Sequence, residues 1–251
     1  MGEIVKYYKS DEYKIEFVFT ENSMISYGKH NHISIYAVGL VLDGAISLER
    51  AGEKYECVKD DLFIIPPYEV HATSLCDVMH TMVTLCIGVD LIKNYDLEKA
   101  KTILKDLADK LVCDDVLNHM QVEAYTDALE MVYGMYRNNN IEYREVISYT
   151  KEIIEKHPET DIKLDDLSHE IFVSKYYLIR EFKKEIGLSP HNFQIQNRIR
   201  KAQKLLEGGL NATETAINTG FYDQSHFIKY FKKIVGITPS EYIDSLEALK
   251  K

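Results

Sequence analysis

Phe182–Phe193 reads FKKEIGLSPHNF, and Phe231–Tyr242 reads FKKIVGITPSEY. At an offset of 231 − 182 = 49 residues, the second stretch returns four features of the first. These are Phe-Lys-Lys, the glycine (Gly187, Gly236), the proline (Pro190, Pro239) and a closing aromatic (Phe193, Tyr242). Glycine just past an apolar helical segment, with proline shortly after, stops one helix and starts the next. The chain therefore writes the same helix ending twice.

Working outward, LDDLSHEIFVSKYYLIREFKKEIG (164–187) predicts a short helix, a tight turn near Phe172 and Val173, and a longer helix capped by Ser174. TETAINTGFYDQSHFIKYFKKIVG (213–236) repeats the layout, with Gly220 free to take positive φ and Asp223 as the cap. Short helix, turn and second helix within about twenty residues is the helix-turn-helix pattern, whose second helix enters a DNA major groove. Leu178, Phe182 and Ile186 fall at four-residue spacing and predict a core face, matched by Phe227, Phe231 and Val235. The opposite face carries Lys175, Tyr176, Arg180 and Lys183 in one copy and Gln224, Ser225, His226, Lys229 and Lys232 in the other.

Charge supports that reading only after division by region. The 251-residue chain has 30 Lys and Arg against 40 Asp and Glu, a net of −10. Residues 1–150 hold 14 against 25, or −11, while residues 151–251 hold 16 against 15, or +1. Ile171–Leu206 holds eight basic and two acidic residues, a local patch of +6 suited to phosphate.

The sequence predicts an α+β protein of two domains. Short β-rich runs broken by turn residues fill about 13–89 and predict an antiparallel sheet or barrel. Helical stripes follow over 90–138, with Leu104, Leu107 and Leu111 on one and Leu129, Val132, Tyr133 and Tyr136 on another. RNNN at Arg137–Asn140 marks the break, so 1–138 is expected as the first domain, 139–161 as linker and helix, and 162–251 as an all-helical domain. Cys57, Cys76, Cys86 and Cys113 lack CxxC spacing and read as buried reduced thiols. With no long apolar run and no cleavable leader, the chain is expected in the cytoplasm, with no membrane contact.

GFYDQSHFIKYFKKIVGITPSEY (220–242) closely resembles the signature of the DNA-binding domain of AraC/XylS-family transcription regulators, and the resemblance extends over 162–246. RIRKAQKLL (198–206) resembles that family's linker helix. The resemblance implies two helix-turn-helix units whose recognition helices enter successive major grooves, roughly one helical turn, ~34 Å, apart. Carried over by position, it implies base reading by Tyr176, Ile179 and Arg180 and by Gln224, Ser225, His226 and Lys229. Ser174, Lys175, Lys183, Arg198 and Lys232 complete the expected DNA contacts. Arg180 suits guanine, whereas Ile179 departs from the polar residue frequent there and suits a thymine methyl or no readout. Ala212 and Thr215 stand where larger aliphatics are common, which implies a looser second unit.

HNHISIYAVGLVLDGAISL (30–48) and DDLFIIPPYEVHA (60–72) resemble the cupin-like sensing barrel that precedes such DNA-binding domains. His30, His32 and His71 match the histidines of a catalytic cupin's metal site, but Tyr36 and Ala37 occupy the place of its glutamate. Strand alternation predicts His30, His32, Ser34 and Tyr36 on one face, lining an effector pocket with Tyr68 and His71 at its mouth. A pocket for a small polar effector, structural histidines and a metal site all fit these residues; the expected assignment is an effector pocket with no metal and no cofactor. The resemblance further implies promoter DNA and RNA polymerase as partners and a homodimer through helices 90–138. The expected function is a ligand-responsive regulator, an activator without catalytic residues. A metal-dependent cupin enzyme with a helical interaction tail is the alternative, and an adaptor that has lost DNA binding is a third reading.

Overall fold

The computed structural model describes residues 3–10, 15–94, 98, 102, 117–138 and 144–247. These divide into two compact units, one drawn from Met1–Ser26 and Asn31–Asn140, the other from Tyr27–His30 and Ile141–Glu247.

The first unit is built on β1 (Ile4–Ser10), β2 (Ile15–Ser23), β4 (Ile35–Asp43), β5 (Ala45–Arg50), β6 (Glu53–Val58), β7 (Leu62–Ile65), β8 (His71–Leu75) and β9 (His80–Gly88); β3 (Tyr27–His30) is grouped with the second unit. One sheet has the order β1-β2-β9-β4-β7, and a second contains β8, β5 and β6 in that order. The antiparallel register stacks apolar side chains: Tyr36, Val38 and Leu40 of β4 pair with Ile87, Leu85 and Val83 of β9. That face carries helices α1 (Val89–Asn94) and α2 (His119–Asn138), whose Leu129 and Val132 are buried against it. The Tyr125 hydroxyl, also buried there, donates to the Val83 carbonyl at 2.9 Å. The alternate β4 residues Ala37 and Val41 face Ile46 and Leu48 of the other sheet, so β4 is buried on both faces.

Two expectations change here. The stripe of Leu129, Val132, Tyr133 and Tyr136 covers the unit's own sheet, while Leu104, Leu107 and Leu111 lie outside the described residues. Cys57 is buried, Cys76 and Cys86 are only partly so, and Cys113 lies outside the described residues.

The second unit is helical: α3 (Glu145–Lys156), α4 (Leu164–Glu170), α5 (Lys175–Ile186), α6 (Pro190–Glu207), α7 (Ala212–Asn218), α8 (Gln224–Val235) and α9 (Pro239–Glu247). Helix α3 was expected in the linker; instead it buries Ile147, Thr150 and Ile154 and packs on α5 and α6. The repeated sentence of the sequence is a closing device. Gly187 and Gly236 end α5 and α8 at φ 83° and 94°, the left-handed conformation that glycine adopts without steric cost. Pro190 and Pro239 then open the next helices, and the closing aromatics fold back on the first residue of the repeat. Phe193 meets Phe182 at 5.5 Å between ring centroids, and Tyr242 meets Phe231 at 5.6 Å.

Candidate nucleic-acid interface and effector site

Helix α5 begins at Ser174, whose hydroxyl accepts from the Tyr177 N–H at 3.2 Å; α8 begins at Asp223, whose carboxylate accepts from the His226 N–H at 2.7 Å. Leu178, Phe182 and Ile186 are buried, as are Phe227, Phe231 and Val235, which fixes the rotation of both helices. Their outer faces expose Ser174, Tyr176, Arg180 and Lys183 in one unit and Gln224, Ser225, Lys229 and Lys232 in the other. Lys175 and Ile179 are half-buried, and Lys175 pairs with Asp165 at 2.7 Å. His226 is also half-buried, its ring edge-on to Tyr230 at 4.8 Å and beside Phe221 at 5.6 Å.

Arg180 lies along the Tyr177 ring and pairs through Nε with Glu181 at 2.9 Å. Glu181 also accepts from Arg144, whose guanidinium spans the Tyr177 hydroxyl at 3.1 Å and Glu185 at 3.1 Å. The hydrogen bond from Arg180, burial opposing it and the Arg144 charge together hold the Glu181 carboxyl below its ordinary pKa. Arg144 thus ties α3 to the recognition helix, a role that no motif in the sequence signals.

Arg198 is engaged within the chain. Its guanidinium donates to three carbonyls, Pro158 at 2.7 Å, Gly220 at 2.5 Å and Thr160 at 3.0 Å, and lies over the Phe221 ring. Burial lowers its pKa, with Asp161 and Glu159 pulling the other way. A guanidinium so engaged is a brace between the 158–160 loop and the second turn.

The two units also differ in their turns. Helices α4 and α7 are related by 212 − 164 = 48 residues, whereas α5 and α8 are related by 224 − 175 = 49. The second turn is one residue longer. By hydrogen-bond pattern Phe172 is therefore the counterpart of Gly220: each N–H donates back to the carbonyl of the residue three before it, His169 and Ile217. Their φ values are 56° and 75°. A side chain is excluded at Gly220, because its Cβ would lie 2.2 Å from the Glu159 carbonyl oxygen.

In the first unit, His32 and His71 stand with ring centroids 5.1 Å apart, and the Tyr68 N–H donates to the His32 carbonyl at 2.6 Å. His71 is buried, and its Nδ1 lies 3.1 Å from the Glu69 carbonyl oxygen. Nearby in register, Arg50 grips the Glu69 carboxylate through Nε at 2.6 Å and a terminal nitrogen at 2.8 Å. That bidentate clamp has no sequence signature. His30 lies on β3, its Nδ1 2.8 Å from the Gly28 carbonyl oxygen. Tyr36 does not share a face with His32: the strand is interrupted after His30, Ser34 takes φ 58°, and Tyr36 is buried under the helices. The expected alternation from His30 to Tyr36 fails because two strands, β3 and β4, stand where one was read.

Fold and site define a β-rich domain coupled in one chain to a paired helix-turn-helix domain of the type that reads DNA. Residues 12–89 match the profile of an AraC-like ligand binding domain, and residues 167–245 that of a helix-turn-helix domain. The uncharacterized HTH-type transcriptional regulator YdiP of Escherichia coli (strain K12) is 30% identical over 90% of this chain and 84% of its own length. The uncharacterized HTH-type transcriptional regulator YbfI of Bacillus subtilis (strain 168) is 43% identical over 30% of this chain, a match spanning only 27% of that relative. ToxT from Vibrio cholerae, in a structure bound to an unsaturated fatty acid, superposes with a TM-score of 0.53 at 15% identity, covering 99% of this chain and 98% of that one. The chain belongs to the AraC/XylS family of transcriptional regulators. Among the described residues, no helix is long and apolar enough to cross a membrane.

Proposed function

We propose that this protein binds double-stranded promoter DNA through α5 and α8 under the control of a small molecule held in the first unit. The observation that carries the reading is the matched pair of recognition helices: each has a side-chain cap, a buried apolar face and a left-handed glycine stop, with α6 touching both. Ser174, Lys175, Tyr176, Ile179, Arg180 and Lys183 would meet one major groove, and Gln224, Ser225, His226, Lys229 and Lys232 the next. Arg180 would exchange Glu181 for a guanine edge on binding, leaving the buried Glu181 carboxylate paired with Arg144.

His32, Tyr68 and His71 are the nucleus of the effector site, with His30 and Tyr36 as further candidates. The unsaturated fatty acid in the ToxT structure makes such an acid the first ligand to try. We further assign the protein as an activator that recruits RNA polymerase in the cytoplasm, and as a homodimer through helices 90–138. The outer side of α2, where Met120 and Met131 are 77% and 62% exposed, is the supporting surface for the dimer. No step of this function calls for catalysis, a metal or a cofactor. Selection of bound duplexes from random DNA, with and without an unsaturated fatty acid, tests the reading. Enrichment of a site with two elements about one helical turn apart is expected, and recovery of unenriched DNA would overturn it.

A further inference from the structure

Phe172 breaks a local rule without an internal return. It is the one non-glycine residue with positive φ among the described residues of the helical unit, at 56°. Bulky side chains crowd the following carbonyl in that conformation, which is why such residues mark functional strain. The paired unit uses Gly220 at the equivalent place. Contact within the chain does not offset the strain, because Phe172 is 93% exposed, and Tyr176, on the first turn of α5, is 85% exposed.

Its position supplies the partner. Phe172 lies two residues before Ser174, the cap of the helix assigned to the major groove, and opens the +6 patch of Ile171–Leu206. An aromatic ring exposed two residues before that cap is within the reach of duplex DNA, where an apolar side chain has one distinctive target in the groove, the C5-methyl of thymine. Resting on the DNA-binding reading above, we propose that Phe172 is a specificity-determining residue that recognises a thymine methyl at the edge of the site covered by α5.

The test uses the full chain and the duplex enriched by the parent protein, with each thymine in the α5 half-site replaced singly by uracil, which removes only the methyl. Phe172→Asn removes the ring and keeps a residue that tolerates positive φ. The parent should lose about threefold to tenfold in affinity at one thymine-to-uracil position, the scale of one buried methyl. Phe172→Asn should bind the thymine duplex more weakly by a similar factor, ignore that replacement, and melt no lower than the parent. The proposal is overturned if Phe172→Asn binds as tightly as the parent, if it keeps the uracil penalty, or if it melts lower, which would make the ring structural. A parent that enriches no sequence brings down the DNA-binding reading itself, an outcome distinct from an unchanged variant.

Discussion

Arg180 and Lys183 sit three residues apart on the exposed face of α5, yet their chemistry separates them. A guanidinium can bond two acceptors of one guanine edge, whereas an ammonium acts as a point charge on phosphate. Arg180→Ala should therefore lose about 1–3 kcal/mol of discrimination at one position. Lys183→Ala should weaken all sequences alike; titrations against selected and scrambled duplexes distinguish the two, and equal losses for Arg180→Ala would refute its role. Inside the second unit, the Thr215 side chain is fully buried and its hydroxyl has no hydrogen-bond partner among the described residues. Thr215→Val keeps nearly the same shape and removes that orphan, so thermal melts should show a gain of about 1–2 kcal/mol. Loss of stability would mean the hydroxyl is satisfied in solution. His80 is buried with Nδ1 unpartnered among the described residues, and burial lowers its pKa from 6.5 against a smaller raising pull from Glu3. A lowered folded pKa means that the unfolded chain takes up the proton first. Stability is full above 6.5 and is lost as pH falls from there through the folded value. The melting temperature of the parent should fall more steeply with acidification than that of His80→Gln; parallel profiles would show that His80 is not the titrating group.

At the scale of elements, the helix endings were legible because capping depends on neighbours in sequence. Ser174, Asp223, Gly187 and Gly236 each act within a few residues of their own position, and all stand where the pattern puts them. The interruption between β3 and β4 was not legible. HNHISIY alternates as one strand would, and the positive φ of Ser34 that ends the alternation has no glycine to announce it. The bracing role of Arg198 was hidden for a related reason: a basic residue on a linker helix looks the same whether or not it binds three carbonyls from segments distant in sequence. The bracing of the second turn makes a prediction of its own. Gly220 combines φ 75° with a Cβ position 2.2 Å from the Glu159 carbonyl oxygen, and its own carbonyl accepts from Arg198. Gly220→Ala should cost about 2–3 kcal/mol, measured by denaturant unfolding, since both the strain and the clash fall on backbone. A loss below about 1 kcal/mol would show that the 158–160 loop moves aside, and that the brace is weaker than its three hydrogen bonds suggest.

For the whole molecule, the division of charge sets how DNA binding should respond to salt. Residues 1–140 carry 13 basic against 23 acidic residues, or −10, while 141–251 carry 17 against 17, or zero. The second division is neutral as a whole but exposes Arg180, Lys183, Lys229 and Lys232 on its recognition faces. At roughly 0.15 M salt, where charges more than ~8 Å apart are screened, cations local to the recognition faces dominate the interaction with the duplex. Affinity should then fall with salt at a slope of about 0.9 per phosphate neutralised on a log–log scale. Below about 0.01 M the screening length approaches ~30 Å, and the acidic division, covalently tethered to the DNA-binding one, begins to repel the duplex. Repulsion that weakens as salt is added opposes the counterion term, so the log–log plot should flatten toward low salt instead of remaining straight. A fluorescence anisotropy series from low to physiological salt measures that curvature. A straight line through the whole range would mean that the −10 of the first division lies too far from bound DNA to matter. Flattening would mean that acidity in the sensing half suppresses nonspecific capture by DNA, leaving discrimination to the recognition faces.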